Sequence, residues 1–530
     1  MRIKCLLPRK IFCDYNKIKL RDRKNLNHYK NGQGGFNMNI KLQEKYQLYI
    51  DGQWREASDG GVLKTYNPAT GEFLAEIADA TEKDVDDAVK AAERAFITWG
   101  KTTVAERADV LNKIADVIDD NAEYLATIET MDNGKPIRET TGADIPLAAD
   151  HFRYFAGVIR SDEGSSTMLD ENTLNIILRE PIGIVGQIVP WNFPFLMAAW
   201  KLAPVLAAGD VSVFKPSSTT SLSVLELMRL IENIVPKGVI NIVTGRGSKS
   251  GEYLQHHKGL NKLAFTGSTE VGRKIGLSAA ENIIPATLEL GGKSANIFFK
   301  DADLDIALEG LQLGILFNQG QVCSAGSRIF VQEDFYDEFI EKAVKAFEKV
   351  KVGNPLDNNT QMGAQVSEDQ LNKILSYVEI GKKEGAKVAT GGERYTEGDA
   401  ANGYFMKPTL LVDVTNDMRV AREEIFGPVG VVIKFKTIDE VIAMANDSEY
   451  GLGGGVFTRD INKAIQVARG IRTGRVWVNT YNSFPAGAPF GGYKNSGIGR
   501  ETHKSVLDAY TQMKNIMVNL SEKPSGMYVK

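Results

Sequence analysis

Cysteine is scarce in this chain of 530 residues, which contains only Cys5, Cys13 and Cys323. Three thiols in so long a chain leave no disulfide framework, and this predicts a reducing compartment such as the cytoplasm. Histidine is scarce as well. None of the five histidines stands at a metal-ligand spacing from a cysteine, so the sequence predicts no metal site.

Long apolar runs and an excess of positive charge are also lacking. No stretch approaches the roughly 18 uncharged apolar residues that a membrane span requires. A net charge of −4 gives no reason to expect nucleic acid or an anionic membrane as a partner. With 43% hydrophobic and 25% charged residues the chain has the composition of a globular protein, and its length predicts two or three domains.

Residues 1–37 differ from the rest, because they carry ten Lys or Arg against Asp14 and Asp22. No apolar core follows this basic start, so it is not a secretory signal, and serine is too rare for a transit peptide. Codons for residues 33–35, Gln-Gly-Gly, would resemble a ribosome-binding site just ahead of Met38. We interpret residues 1–37 as a disordered leader translated by mistake, with Met38 as the true start.

From Tyr46 onward the pattern alternates between helix and strand, which predicts an α/β fold with a parallel sheet. Apolar residues recur at helical spacing after Thr81, a predicted N-cap with Asp84 three positions later. A second amphipathic helix is predicted with its buried stripe between Leu111 and Leu125. Buried parallel strands are predicted from short apolar runs at residues 182–189, 211–214, 239–243, 263–265 and 295–299.

Two segments depart from this alternation. Residues 160–178 are polar and predict a hairpin that leaves the first domain, with residues 509–518 as its pairing partner. Gly291 and Gly292 interrupt the strand pattern and predict that a second α/β unit begins there.

Cys323 lies in a polar, glycine-bearing segment, which suits a nucleophile that substrate must reach. A lone cysteine is otherwise most often a buried structural residue. Asn192 lies between Pro190 and Pro194 at the end of an apolar run, where its amide could donate to an oxyanion or simply make a turn. Glu289 stands in an apolar run, where burial would raise its pKa toward that of a general base; a solvated strand-edge glutamate is the alternative.

Lys215 directly follows a predicted strand and could bind ribose or phosphate oxygens, although a surface lysine would give the same pattern. Residues 265–272 predict a strand, a glycine turn and a helix start, whose free N–H groups and Ser268 hydroxyl attract pyrophosphate. Gly247 belongs to only a fragment of a dinucleotide fingerprint. Residues 423–428 and 489–500 predict loops over a ligand.

Together these segments resemble the aldehyde dehydrogenase family over residues 46–530. The motifs P-W-N-F-P, F-T-G-S-T-x-x-G, L-E-L-G-G-K, F-N-Q-G-x-x-C, E-E-I-F-G-P-V and P-F-G-G-Y-K-x-S-G-x-G-R-E all occur in the family's order. The resemblance is greatest to bacterial enzymes that oxidise acetaldehyde and similar short aliphatic aldehydes.

The resemblance implies a Rossmann-like nucleotide-binding domain, a second α/β catalytic domain and a small β flap for oligomerisation. We place residues 38–159 and 180–290 in the nucleotide-binding domain and residues 291–501 in the catalytic domain. Residues 160–179 and 502–530 would form the flap, and the protein would be a homodimer or homotetramer.

The resemblance also implies roles for residues. Cys323 would be the nucleophile, Asn192 the oxyanion donor, and Glu289 the base that hydrolyses the thioester. NAD or NADP would be held by Val189, Pro190, Trp191, Asn192, Lys215, Ser217, Ser218, Gly247, Gly251, Phe265, Gly267, Ser268, Leu290, Gly291, Glu424 and Phe426. The substrate tunnel would be lined by Phe193, Trp200, Phe484 and Phe490.

Two choices stay open. Many NAD-preferring relatives have a glutamate three residues after the lysine at Lys215, and Ser218 stands there in this chain, which removes a barrier to NADP. The substrate could also be a polar aldehyde such as betaine aldehyde, lactaldehyde or a semialdehyde. A coenzyme A-dependent relative is disfavoured by Glu289, and a silent structural relative by the presence of Cys323, Glu289 and Asn192.

Overall fold

The computed structural model describes residues 40–528. The predicted leader and the predicted start at Met38 lie outside the described residues. Over residues 40–528 no helix is both long enough and apolar enough to cross a membrane.

The first large sheet has eight strands, and its five central strands are parallel. In spatial order the strands are Gly497–Ile498, Ala286–Glu289, Lys262–Thr266, Ile184–Ile188, Val211–Lys215, Ile240–Ile242, Leu48–Ile50 and Gln53–Arg55. The central strands are buried, as their continuous apolar runs predict.

Helices cover this sheet. They are Glu82–Trp99, Val104–Asp120, Ala122–Asn133, Ile137–Glu139, Ile145–Val158, Pro194–Ala208, Leu222–Ile231, Glu252–Gln255 and Thr269–Asn282. The predicted cap of the first helix is confirmed, since Thr81 and Asp84 form a capping box. The prediction of one helix through Leu111 and Leu125 is wrong. The helix ends at Asn121, which leaves helical geometry at φ −118° and ψ 21° and donates its side-chain amide to Val117 O at 2.8 Å.

The second large sheet has seven strands, six of them parallel. In spatial order they are Lys387–Thr390, Thr409–Val412, Val429–Phe435, Arg328–Gln332, Ala295–Phe298, Gly453–Phe457 and Arg475–Val478. The helices after Glu289 are Leu304–Ile315, Tyr336–Glu348, Glu368–Glu384, Arg419–Arg422, Ile438–Asn446 and Ile461–Gly470. The break between the sheets falls at the predicted Gly291–Gly292 interruption.

Three smaller sheets complete the described chain. Lys45–Tyr46, Phe73–Ala78 and Val62–Tyr66 form one, and Tyr450–Gly451 pairs with Tyr493–Lys494. In the third, Ser165–Asp170 and Thr173–Pro181 form a hairpin, and Thr511–Asn519 pairs with Thr173–Pro181 over nine residues. This confirms the predicted pairing. The use of this sheet in oligomerisation, and the predicted domain boundaries, stay predictions.

Candidate active site

A cleft of about 490 Å³ opens beyond the carboxyl ends of the central strands of the first sheet. Ligands of open α/β sheets bind at this edge, because loops from neighbouring strands meet there. The cleft brings together Cys323, Glu289 and Asn192, which lie far apart in the sequence. Its walls also include the predicted residues Val189, Pro190, Trp191, Phe193, Trp200, Lys215, Ser217, Ser218, Gly247, Phe265, Gly267, Ser268, Leu290, Gly291, Glu424, Phe426, Phe484 and Phe490.

Cys323 reaches the cleft from a segment with unusual backbone geometry. Asn318, Gln319 and Gly320 have φ of 47°, 54° and 71°, three successive residues in the left-handed region. A Cβ on Gly320 would lie 2.2 Å from the carbonyl of Gly427, so the close approach of the two backbones requires glycine. Strained backbone of this kind is concentrated at functional sites.

Asn192 is buried between the end of one strand and the helix Pro194–Ala208. Its Nδ2 donates to Gln321 O at 2.8 Å, and its own carbonyl accepts from Asn318 Nδ2 at 2.6 Å. These bonds hold the amide beside the segment that carries Cys323. The structure therefore places a fixed donor where a simple turn asparagine would have pointed to solvent.

Glu289 ends a strand and is only 4% exposed, so it is not a solvated edge residue. Burial raises its pKa well above the usual value, and the charge of Glu501 adds to that effect, while Lys201 and Arg500 oppose it. Glu289 Oε2 makes no hydrogen bond within the described chain. The carboxyl group can therefore hold or release a proton toward the cleft.

The structure adds two residues that the sequence interpretation missed, Lys201 and Glu501. They form a fully buried ion pair next to Glu289. A signal for Lys201 existed, since it is the one charged residue in the otherwise apolar helix Pro194–Ala208. Glu501 follows a glycine-rich loop whose path the pattern could not trace.

The Cys323 thiol is partly buried, and its pKa is raised by burial first and then by the carboxylates of Glu424 and Glu289. Backbone N–H groups of Ser324 and Cys323 act in the opposite direction. With two carboxylates nearby the thiol is protonated at neutral pH, and positive charge brought into the cleft would favour the thiolate.

Lys215 is only 3% exposed, so the surface-lysine alternative is wrong. Burial lowers its pKa to about 8, and the charge of Asp79 partly offsets this effect. Its ammonium donates to Pro216 O at 3.1 Å and has donors to spare for a ligand. Gly251 lies behind this side chain, because a Cβ there would be 3.4 Å from Lys215 Cε, and it is absent from the residues lining the cleft.

The glycine turn predicted for phosphate lies at the cleft wall. The helix Thr269–Asn282 begins there, and Ser268 caps it by accepting from Val271 N at 3.3 Å. The Ser268 hydroxyl oxygen is therefore already a hydrogen-bond acceptor for the first turn of the helix. A Cβ on Gly267 would lie 2.4 Å from the Phe265 ring, so the turn leaves no room for a side chain.

Glu424 and Phe426 also line the cleft. Gly292 N donates to Glu424 Oε1 at 2.9 Å, and burial raises the pKa of this carboxyl. Phe426 has φ of 61°, and its ring meets that of Trp191 edge-on at 5.2 Å. A carboxylate with one oxygen free, an ammonium and a helix N-terminus around one cleft fit the ribose and phosphate groups of a dinucleotide.

Four aromatic residues predicted for the substrate tunnel line the cleft. The Trp200 ring lies 5.3 Å from Phe490 and 6.2 Å from Phe484, and the Phe193 ring lies 5.8 Å from the tilted ring of Phe317. Leu196, Met197, Gln370 and Lys373 line the cleft as well and were missed, since nothing in their local pattern distinguishes them from ordinary helix residues. Among the described residues no group of three or more His, Cys, Asp or Glu is placed to hold a metal ion.

Comparison with known proteins decides the family. The model of the aldehyde dehydrogenase family matches residues 54–516. The chain belongs to the aldehyde dehydrogenase family. It is 52% identical over 502 residues to aldehyde dehydrogenase B of Escherichia coli, covering 93% of this chain and 98% of that protein.

Solved aldehyde dehydrogenases share the fold. An aldehyde dehydrogenase from Bacillus cereus in complex with NAD+ has a TM-score of 0.89 and 45% identity, over 91% of this chain and 100% of that one. Betaine aldehyde dehydrogenase from Staphylococcus aureus in complex with NAD+ has a TM-score of 0.89 and 41% identity, over 92% of this chain and 97% of that one. The predicted α/β aldehyde dehydrogenase fold is confirmed, and the chain is an oxidoreductase that acts on aldehydes.

Proposed function

We propose that this aldehyde dehydrogenase oxidises a short aliphatic aldehyde, such as acetaldehyde, to its carboxylic acid with NAD or NADP. The observation that carries the proposal is the convergence of Cys323, Asn192 and Glu289 on one cleft whose other wall fits a dinucleotide. Each of the three has a distinct role in the proposed chemistry.

The Cys323 thiolate attacks the aldehyde carbon, and the carbonyl oxygen becomes an oxyanion. Asn192 Nδ2 and the Cys323 backbone N–H donate to that oxygen; a donor of this kind is worth about 2.7–4 kcal/mol. In the structure Asn192 Nδ2 already points at the nucleophile's segment, through its bond to Gln321 O. The product of this step is a thiohemiacetal on Cys323.

The nicotinamide cofactor, when bound, supplies the acceptor for the hydride that leaves the former aldehyde carbon. A thioester on Cys323 remains. Glu289 takes a proton from a water molecule as that water attacks the thioester, and the acid is released while Cys323 leaves as the thiolate. Burial raises the pKa of Glu289, which makes its carboxylate a stronger base toward that water.

We assign the cofactor to the wall that holds Lys215, the start of the helix Thr269–Asn282, and Glu424. Lys215 would donate to ribose oxygens, and the free N–H groups of the helix start would face the pyrophosphate. Glu424, which keeps one oxygen free of the bond from Gly292, would accept from the nicotinamide-side ribose hydroxyls.

Ser218 governs the choice between the two cofactors. Replacing it by glutamate places a carboxylate on the cleft wall where a 2′-phosphate would lie, and like charges repel. We expect Ser218→Glu to lower kcat/KM with NADP by tenfold or more, about 1.4 kcal/mol, and to preserve activity with NAD. Ser218→Gln is the matched control, since it has the same shape without the charge. Equal cofactor ratios in the two variants would show that charge at this position has no effect.

The aromatic pocket supports the substrate assignment. Phe193, Trp200, Phe484 and Phe490 present apolar surface and suit a short neutral chain. The same rings favour a second candidate, because aromatic faces bind quaternary ammonium groups. Betaine aldehyde carries such a group, and the similar S. aureus structure is a betaine aldehyde dehydrogenase.

Steady-state kinetics decides between these substrates. Acetaldehyde, propanal, glycolaldehyde, lactaldehyde and betaine aldehyde are each measured with NAD and with NADP, and kcat/KM is compared across the grid. We expect acetaldehyde or propanal to rank first. A dominant preference for betaine aldehyde would replace the first candidate with the second.

The remaining assignments concern assembly and location. We propose that the sheet containing Thr511–Asn519 joins copies of the chain into a homodimer or homotetramer, and that the enzyme acts in the cytoplasm. The proposed assembly is supported by Met513 and Met517, which are exposed on the edge strand of this sheet. Sedimentation of the protein with and without residues 511–528 tests it.

A further inference from the structure

One face of the first sheet carries polar side chains through the protein core. Glu289 and Thr287 alternate with apolar residues on one strand and so share a face. Strand register pairs Thr287 with Ala264 and Ala264 with Gln187, and Lys262 stands two residues before Ala264. Polar side chains therefore run from Glu289 at the carboxyl edge of the sheet to Lys262 at its amino edge, and all are buried.

Tyr510 and the Lys201–Glu501 pair pack over this face. Lys262 Nζ lies 5.0 Å from the centre of the Tyr510 ring, and the Tyr510 hydroxyl faces Gln187 and Thr287. Gln187 Nε2 donates to Lys201 O at 2.9 Å. We call these residues the polar column, defined as Glu289, Glu501, Lys201, Thr287, Gln187, Tyr510 and Lys262.

Three atoms of the polar column have no hydrogen-bond partner in the described chain. They are Glu289 Oε2, Glu501 Oε2 and Lys262 Nζ, and Asp210 Oδ2 beside Lys262 is also unpaired. Between them the Tyr510 hydroxyl links the side chains of Gln187 and Thr287. Buried polar groups in folded proteins are paired with protein or with internal water. The unpaired atoms near Glu289 and near Lys262 therefore indicate internal water at the two ends of the column, with the Tyr510 hydroxyl between them.

We propose that the polar column is a proton path that carries the proton taken up by Glu289 in thioester hydrolysis away from the cleft to Lys262. This inference rests on the proposed role of Glu289. Water gives its proton to the Glu289 carboxylate and its hydroxide to the acyl carbon. Each water or hydroxyl along the column then accepts one proton and passes on another, and the neutral amine of Lys262 takes the last.

The charges around Lys262 fit an acceptor. Burial favours the neutral amine and lowers the pKa of Lys262 to about 7. The charges of Glu501 and Asp210 oppose this effect, and the charge of Lys201 adds to it. An amine with this pKa takes up a proton near neutral pH.

Hydrolysis of p-nitrophenyl acetate by the full-length protein tests the path, because it separates the two half-reactions. The burst of nitrophenolate reports acylation of Cys323, and the steady phase reports hydrolysis of the acyl-enzyme. We expect Thr287→Val, Tyr510→Phe and Lys262→Met to keep the burst amplitude and to slow the steady phase by about tenfold or more. Thr287→Ser, which restores a hydroxyl, is expected to recover the steady rate.

Tyr46→Phe is the matched control, since Tyr46 is another fully buried tyrosine whose hydroxyl bonds to Glu226, away from the column. It should leave both phases unchanged. Steady rates equal to wild type in all three column variants would overturn the path, as would a burst that falls in step with the steady rate. Failure of the proposed function itself would show differently, as a wild-type protein without a burst.

Discussion

Replacing Cys323 by alanine is expected to abolish aldehyde oxidation, with a fall in kcat of roughly 10⁴-fold or more. The reason is that no other thiol occurs in the described residues, so no second nucleophile can form the thiohemiacetal. Alanine keeps the Cβ and leaves the cleft walls in place, so binding of reduced cofactor, measured by its fluorescence, should persist. Turnover by Cys323→Ala above that of buffer would contradict the assignment.

The reactivity of the thiol provides a second measurement. Because burial and the carboxylates of Glu424 and Glu289 raise its pKa, the thiol stays protonated at neutral pH, and alkylation by iodoacetamide should be slow and accelerate as pH rises. Glu424→Gln removes one of these charges and should speed alkylation at fixed pH. The variant Cys5→Ala/Cys13→Ala, which retains Cys323, confines the labelling to one site and should keep full dehydrogenase activity.

The sequence predicted the strands because their signal is local. Five apolar runs became five buried strands. Asn192 and Lys215, which follow two of these runs, lie with Glu289 around one cleft at the edge of the first sheet. Parallel strands impose this result, since their carboxyl ends must meet. The resemblance to the aldehyde dehydrogenase family then predicted the other residues of the cleft, and the predicted family fold is confirmed. The individual roles of these residues stay predictions.

Features that depend on tertiary contacts could not be predicted. An uninterrupted apolar stripe predicted one helix, whereas the structure has two helices that meet at Asn121. Periodicity alone does not show where a backbone turns. The left-handed geometry of Asn318 and Gln319 is imposed by their surroundings, with Asn318 N bound to Glu139 and Gln319 Nε2 bound to Ala364 O. Neither residue type would signal it alone. Pairing of Lys201 with Glu501 joins positions 300 residues apart.

Replacing Glu289 by glutamine is expected to stop turnover after the first half-reaction. Glutamine fills the same space as glutamate. This matters because the Glu289 carboxyl packs closely against the backbone of Gly491, where an added Cβ would lie only 2.8 Å from Glu289 Oε1. Acylation and hydride transfer do not need the carboxylate, so a burst of one reduced cofactor per active site should remain. The steady rate should fall by about 10²- to 10⁴-fold, the typical contribution of a general base. Rapid mixing with an aldehyde and cofactor measures both phases.

The pH dependence of the steady rate separates a base from a structural residue. A carboxyl group whose pKa is raised is protonated below that pKa and accepts no proton, so hydrolysis by the wild-type enzyme should rise with pH as Glu289 ionises. In Glu289→Gln this rise should disappear. Glu226→Gln, which alters a buried carboxylate bonded to Tyr46 and Tyr124, should keep both the rate and the rise. A pH rise that survives in Glu289→Gln would assign the base to another group, and Glu501 would be the first to examine, because its charge raises the pKa of Glu289.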